Sequence, residues 1–333
     1  MTTTARNQSV DSFRLLAALC VVILHVSFSN TPREFAVGLR LMTRWAIPFF
    51  FILSGYFLAM RHSKTGQLNV LPAVERLIWM FLLWVLIYSP FFVMQHDLTA
   101  LFKLITAPAF IYFGLFTHLW FLPSLLFGYL FVSFCYHYNV KILLPIVSGI
   151  CIIMGLISGA YNIFDFGFPL DYEIARNWLS IPFLYIGFLL FQKGRPNGWV
   201  SVLLIIFGAG LQVFEARFLY NQFQFSAYSH QFLIGTIPFA IGIAALALNE
   251  LKFLQHPILS RWGSEYSFGI YLIHPAVIFT VSPLISGFAF KKTAAWQILF
   301  PVLILCLSLA VLNLIHRYLP KGFNILFGAR VNR

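Results

Sequence analysis

Long apolar runs alternate along the chain with short polar stretches. Each run is near the roughly 20 residues that a helix needs to cross a bilayer. Ten stand out: 12–30, 43–60, 77–95, 118–137, 142–160, 177–192, 198–215, 231–250, 267–285 and 295–317. The runs are continuous, whereas the strands of a membrane barrel alternate over about ten residues. The pattern therefore predicts helices. The stretch 98–117, LTALFKLITAPAFIYFGLFT, is broken by Lys103, Pro108 and Gly114 and reads as a re-entrant or interfacial piece. The expected fold is all-α: a single polytopic membrane bundle over 1–333 with about ten transmembrane helices.

Composition agrees. The chain is 60% hydrophobic and 10% charged, with mean hydropathy +0.85, whereas a soluble domain carries about 25% charged residues. The net charge of +12 is dispersed over the short loops, which is a topology signal and not a nucleic-acid patch. With ten spans and both termini in the cytoplasm, fourteen Lys and Arg fall inside and eight outside, while four acids fall inside and six outside. That bias sets the expected orientation. Arg33, Arg40 and Arg44 lie in or beside the first outer loop and weaken it. The first run lacks a small-x-small cleavage site and reads as an uncleaved first span. Cys20, Cys135, Cys151 and Cys306 make no CxxC pair and read as small apolar residues, with no disulfide or metal site.

Polar groups inside the apolar runs are the candidate chemistry. In FRLLAALCVVILH, Arg14 and His25 are eleven positions apart. On a helix they share a face, about 20° apart in angle and about 16 Å apart along the axis. Asp11 can pair with Arg14 or cap the helix start. Arg14 alone also reads as a snorkelling flank, and His25 as a hydrogen-bonded structural residue. Ionisable groups at this depth usually face a polar cavity, however. IPFFFILSGYFLA carries Ser54 and Gly55, small residues suited to close helix packing. AVERLIWMF places Arg76 at a span start, where topology alone also accounts for it. THLWFLPSLL brings His118 and Trp120 to another span start, and EIARNWLSIPF brings Arg176. An interfacial belt accounts for Trp120 more readily than for His118. In GSEYSFGIYLIHP, His274 precedes Pro275, whose missing N–H frees a carbonyl. His274 therefore reads equally as a structural kink.

The ordered set resembles the acyltransferase-3 family of bacterial membrane acyltransferases, which modify cell-surface glycans. The matching pieces are DSFRLLAALCVVILH (the family's Arg-x10-His), PFFFILSGYFL, HLWFL, the Arg76-bearing span start, IPFLYIGFLLF and YSFGIYLIHP. They occur in the family's order over nearly the whole chain. One departure is Trp79, which stands where many members carry a second arginine.

The resemblance implies a multi-pass protein of the bacterial inner membrane. Its donor substrate would be cytoplasmic acetyl-CoA, with no metal. Its acceptor would be a lipid-linked or polymeric glycan outside, such as an O-antigen. Arg14 and Arg76 would hold the CoA phosphates, since guanidinium contacts phosphate bidentately. Ser54 and His274 would complete the donor site. The pantetheine arm would span roughly the 16 Å from Arg14 to His25. His25 would be the general base and His118 a second catalytic group that orients the acceptor or stabilises the oxyanion. An acetyl-His intermediate is the other route. Trp120 and Arg176 would bind the acceptor, and the outer loops 31–43, 96–118, 161–177 and 216–231 would select it. The rival reading is a transporter or flippase, to which ten spans with intramembrane charge are equally suited. Such proteins often show inverted repeats, and none is visible here. A structural scaffold leaves the buried histidines without a role.

Overall fold

A computed structural model describes residues 7–165, 167, 170–225, 232–251 and 255–328. Arg6, Lys252, Arg330 and Arg333 of the charge count lie outside the described residues, as do parts of the loops 161–177 and 216–231 and the first residue of the eighth expected span. The described residues form helices and no strand. In chain order these are α1 (Gln8–Leu24), α2 (Arg33–Thr43), α3 (Ala46–Thr65), α4 (Leu71–Gln95), α5 (Leu98–Thr106), α6 (Phe110–Phe113), α7 (Phe121–His137), α8 (Leu143–Ile157), α9 (Tyr172–Ala175), α10 (Ser180–Gln192), α11 (Gly198–Phe223), α12 (Thr236–Leu248), α13 (Pro257–Leu284), α14 (Ala294–Tyr318) and α15 (Pro320–Phe327). Short 3-10 turns at Thr117–Trp120 and Arg176–Leu179 lead into α7 and α10.

Among the described residues, seven helical stretches are long and apolar enough to cross a membrane: Arg33–Thr65, Leu71–Gln95, Thr117–His137, Tyr172–Gln192, Gly198–Phe223, Pro257–Leu284 and Ala294–Tyr318. Leu143–Ile157 and Thr236–Leu248 are shorter apolar helices. The expected first span, 12–30, is instead the 17-residue α1, which stops at Leu24. At 1.5 Å per residue it is about 26 Å long, below a hydrocarbon core of about 30 Å. The loop expected at 31–43 is largely the helix α2, with Ala36, Leu41 and Thr43 buried. The stretch 98–117 forms no span. Asp97 caps α5 through the Ala100 N–H, Ala107 is extended before Pro108, and Gly114 takes a φ of 65°. An extended residue before proline and a left-handed glycine each stop a helix.

The chain divides into two compact units. The first comprises Met1–Phe49, Arg195–Phe218 and Gly235–Arg333. Within it α1 and α13 run parallel. The Asp11 end of α1 meets Gly263, and His25, just after α1, meets His274. A methyl group on Gly263 would sit 1.7 Å from the Asp11 carbonyl oxygen, so only glycine permits this approach. Asn7 caps α1 by accepting from the Val10 N–H, and His256 caps α13 by accepting from Leu259. α14 runs back along α13, and α15 folds Phe323 onto Tyr266 and His316. A buried polar cluster ties α11 to α12. Gln212 accepts from the Thr236 hydroxyl, and the Glu215 carboxylate accepts from the Gly235 N–H at the start of α12. A carboxylate there meets the positive end of the helix dipole.

The second unit comprises Phe50–Gly194 and Leu219–Ile234. Here α3 lies against α10 without side-chain spacers. A methyl on Gly55 would meet the Leu184 carbonyl oxygen at 2.1 Å, and one on Gly187 the Ile52 oxygen at 2.1 Å. This is the small-residue packing expected of Gly55. α7 packs on α4 and α10, where the Ser124 and Ser180 hydroxyls donate to the Asn177 and Ser124 carbonyls at 2.7 and 2.5 Å.

Candidate active site

In the first unit, His25 closes α1. Its backbone N–H turns to Val22 and no longer reaches Val21, the partner an unbroken helix would give it. The ring takes over that carbonyl: Nδ1 lies 2.9 Å from the Val21 oxygen. On α13, Pro275 has no N–H for the Tyr271 carbonyl, and His274 Nδ1 lies 2.8 Å from that oxygen and 3.1 Å from that of Ile270. A carbonyl only accepts, so in both rings Nδ1 carries a proton. When either ring is neutral, its lone pair is on Nε2. The same cause, a carbonyl lacking its usual helical N–H, sets both tautomers.

The two rings are in edge contact, with centroids 4.9 Å apart and planes at 66°. His25 is exposed and His274 is fully buried. Two residues to which the family resemblance gave different roles therefore share one place. His25 stands at a helix end, whereas the pattern placed it within a span, and that helix end creates its Nδ1 contact.

The turn after His25 is held from two sides. Arg40 donates from Nη2 to the Val26 carbonyl at 3.1 Å. Gln297 of α14 accepts from the Asn30 N–H at 2.9 Å and donates to Ser29 Oγ at 3.2 Å. The sequence reading counted Arg40 only for topology and passed over Gln297. The available signal was a glutamine inside the apolar run AAWQILF, which the fold buries. At the other end of α1, Arg14 Nη1 pairs with the buried Asp11 carboxylate at 2.9 Å, and the Arg14 side chain stays 30% exposed. One guanidinium nitrogen is thus oriented while the group still meets solvent.

In the second unit, His118 is buried in the 3-10 turn before α7. Its ring meets the edge of Tyr88 at 4.9 Å and lies 6.4 Å from that of Phe116. Trp120 is also buried, and the Arg176 guanidinium lies 4.8 Å above its indole. Arg176 is 3% exposed and ion-pairs with Glu173. Arg76 is exposed near the start of α4. Ser54 hydrogen-bonds Tyr129, which lies in the field of Arg76. Tyr129, Tyr88 and the buried Asn177 were not anticipated; nothing in an aromatic-rich span distinguishes them from packing residues. Among the described residues no group of three or more His, Cys, Asp or Glu side chains is arranged to hold a metal ion. All four cysteines are unpaired.

The chain is 23% identical to an amino-acid racemase of Enterococcus faecalis over 83% of its own length and 42% of that protein. It is 25% identical to a serine/alanine racemase of Enterococcus gallinarum over 82% of its length and 41% of that protein. It therefore spans about two fifths of these relatives. No solved structure matches. The acyltransferase domain that defines the acyltransferase-3 family matches residues 7–314, nearly the whole chain, and the protein belongs to that family of membrane acyltransferases.

Proposed function

We propose that the protein is an O-acetyltransferase of the bacterial inner membrane. It moves an acetyl group from cytoplasmic acetyl-CoA to a hydroxyl of an extracytoplasmic glycan, such as an O-antigen or another surface polysaccharide. The observation that carries this reading is the His25–His274 pair. Nδ1 of each ring lies on a backbone carbonyl, which puts the lone pair of a neutral, exposed His25 on Nε2.

In this reading His25 Nε2 takes the proton of the acceptor hydroxyl as its oxygen attacks the thioester carbonyl. The new C–O bond forms and the C–S bond breaks. The leaving thiolate recovers that proton from the imidazolium. His274 supports the ring from behind. Arg14, oriented by Asp11, and Arg76 hold the donor's phosphates, with Ser54 beside the latter. His118 orients the acceptor or stabilises the oxyanion. The Arg176–Trp120 stack offers the flat, partly polar wall that a sugar face requires. The topology proposed with it has ten spans and both termini in the cytoplasm. With the short α1 counted as the first of the ten, parallel α1 and α13 fit the span count, because two parallel spans need an odd number of crossings between them and the expected spans supply seven; the side of the termini rests on the charge bias.

The relatives' names suggest racemisation. A direct two-base racemisation places a base on each side of the substrate carbon, and rings 4.9 Å apart leave no room between them. The test is purified protein in lipid with acetyl-CoA and a glycan extract. Acceptor-dependent release of CoA, lost in His25→Ala, is expected. Movement of glycan across vesicles without CoA release would favour the transporter reading. Racemisation of serine or alanine would overturn the acyltransferase.

A further inference from the structure

A cavity of about 330 Å³ opens between the first half of α13 and the second half of α14, within the first unit. Its lining is graded. Arg261, Trp262, Tyr266 and Asn313 form one end, and Cys306, Leu309 and Ala310 the other. Residues 306, 309, 310 and 313 fall on one face of α14. The polar end is at the membrane face where α13 begins and α14 ends, and Arg317 and Lys321 follow there.

The polar end presents donors. Arg261 is 70% exposed, and its Nε faces the Glu265 carboxylate at 3.4 Å, with no described protein acceptor on its terminal nitrogens. The buried Tyr266 hydroxyl lies 3.3 Å from Asn313 Oδ1 and 3.2 Å from His316 Nδ1. That arrangement points the Asn313 amide oxygen at Tyr266 and leaves its NH₂ for a ligand. Glu265 is the acid beside Arg261, and Arg317 and Lys321 follow in sequence after the polar end of α14.

We propose that this cavity binds the headgroup and upper chain of one anionic phospholipid. The phosphodiester would be held by the Arg261 guanidinium and the Asn313 amide, beside Trp262 at headgroup level. The acyl chain would run along Ala310, Leu309 and Cys306. Guanidinium is matched to phosphate, and basic pockets between membrane helices are suited to acidic headgroups. A free phosphate or nucleotide would find only half the cavity complementary. The volume is at the small end for ligand sites, which fits a headgroup whose chains continue along the lipid-facing surface.

The test is independent of acyl transfer. Protein is released from nanodiscs of phosphatidylcholine and phosphatidylglycerol, and retained lipid is counted by native mass spectrometry. One phosphatidylglycerol per chain is expected, falling about tenfold in Arg261→Gln and in Ala310→Trp, which fills the apolar end. A second readout covers any folding defect in those variants. Cys306 is the exposed cysteine and the other three are buried, so its alkylation in unaltered protein should slow with phosphatidylglycerol. Equal retention of phosphatidylcholine, unchanged retention in Arg261→Gln, or equal protection of Cys306 by inorganic phosphate alone would overturn the proposal.

Discussion

His25 and His118 have the same side chain in opposite settings. His25 is exposed, closes a helix, and is held through one ring nitrogen by the Val21 carbonyl, with His274 at its edge. His118 is buried in a 3-10 turn against Tyr88 and Phe116. A backbone carbonyl decides the tautomer of the first, exposed ring, whereas the second ring is buried within the fold. A carbonyl contact specifies where the lone pair is, and exposure lets a substrate reach it. The difference supports the proposed roles, proton transfer for His25 and positioning for His118.

The largest expected effect breaks the comparison outright. His25→Ala should lower acetyl transfer by about 10²–10⁴-fold, the usual contribution of a general base. His118→Gln, which keeps a polar group of similar reach, should fall well short of that. Kinetics in which His118→Gln is the more damaging would reverse the two assignments. Next is the seam that brings the paired rings together. Gly263→Ala must push α1 from α13 and should cost about 1–3 kcal/mol. It should lower the melting temperature and activity together, while Gly149→Ala, in mid-helix with nothing within 4 Å, should lower neither.

Pro275→Ala sharpens the carbonyl argument. It returns an N–H to the Tyr271 carbonyl and so competes with His274 Nδ1. A hydrogen bond worth about 0.5–1.5 kcal/mol predicts up to roughly a tenfold loss of rate without loss of stability. Nitrogen NMR of labelled histidine should show the His274 tautomer becoming mixed, and an unaltered spectrum would remove proline from the account. The smallest effect belongs to the second unit. Arg176→Lys keeps the charge opposite Glu173 but loses the flat stack on Trp120, worth about 0.5–2 kcal/mol. It should raise the acceptor KM a few-fold and leave kcat nearly unchanged.

Much of this was legible in the chain, unevenly. The apolar runs located the long helices, often to within a few residues at one end, as at 77–95 against Leu71–Gln95 and 295–317 against Ala294–Tyr318. They overran at α1, because SFSNTP after His25 is not polar enough to interrupt a hydropathy pattern yet carries no helix onward. Arg14, His25 and His274 stood out because polar groups in lipid-length runs are costly. Gln297, Gln212 and Glu215 stood in similar runs and were passed over, since nothing local separates a residue that braces a turn from one that ends a span.

The sequence alone determined that the chain is helical and membrane-embedded, and which few polar groups the apolar runs carry. Those follow from composition and period, which act along the chain. Tertiary structure decided that α1 stops at His25, that Gly263 lets α13 lie against it, and that His274 comes to meet His25. The reason is that each depends on distant partners. A glycine's missing methyl matters only when another helix's carbonyl occupies the space. A histidine's lone pair is fixed only when its other nitrogen finds a carbonyl that the helix has left open.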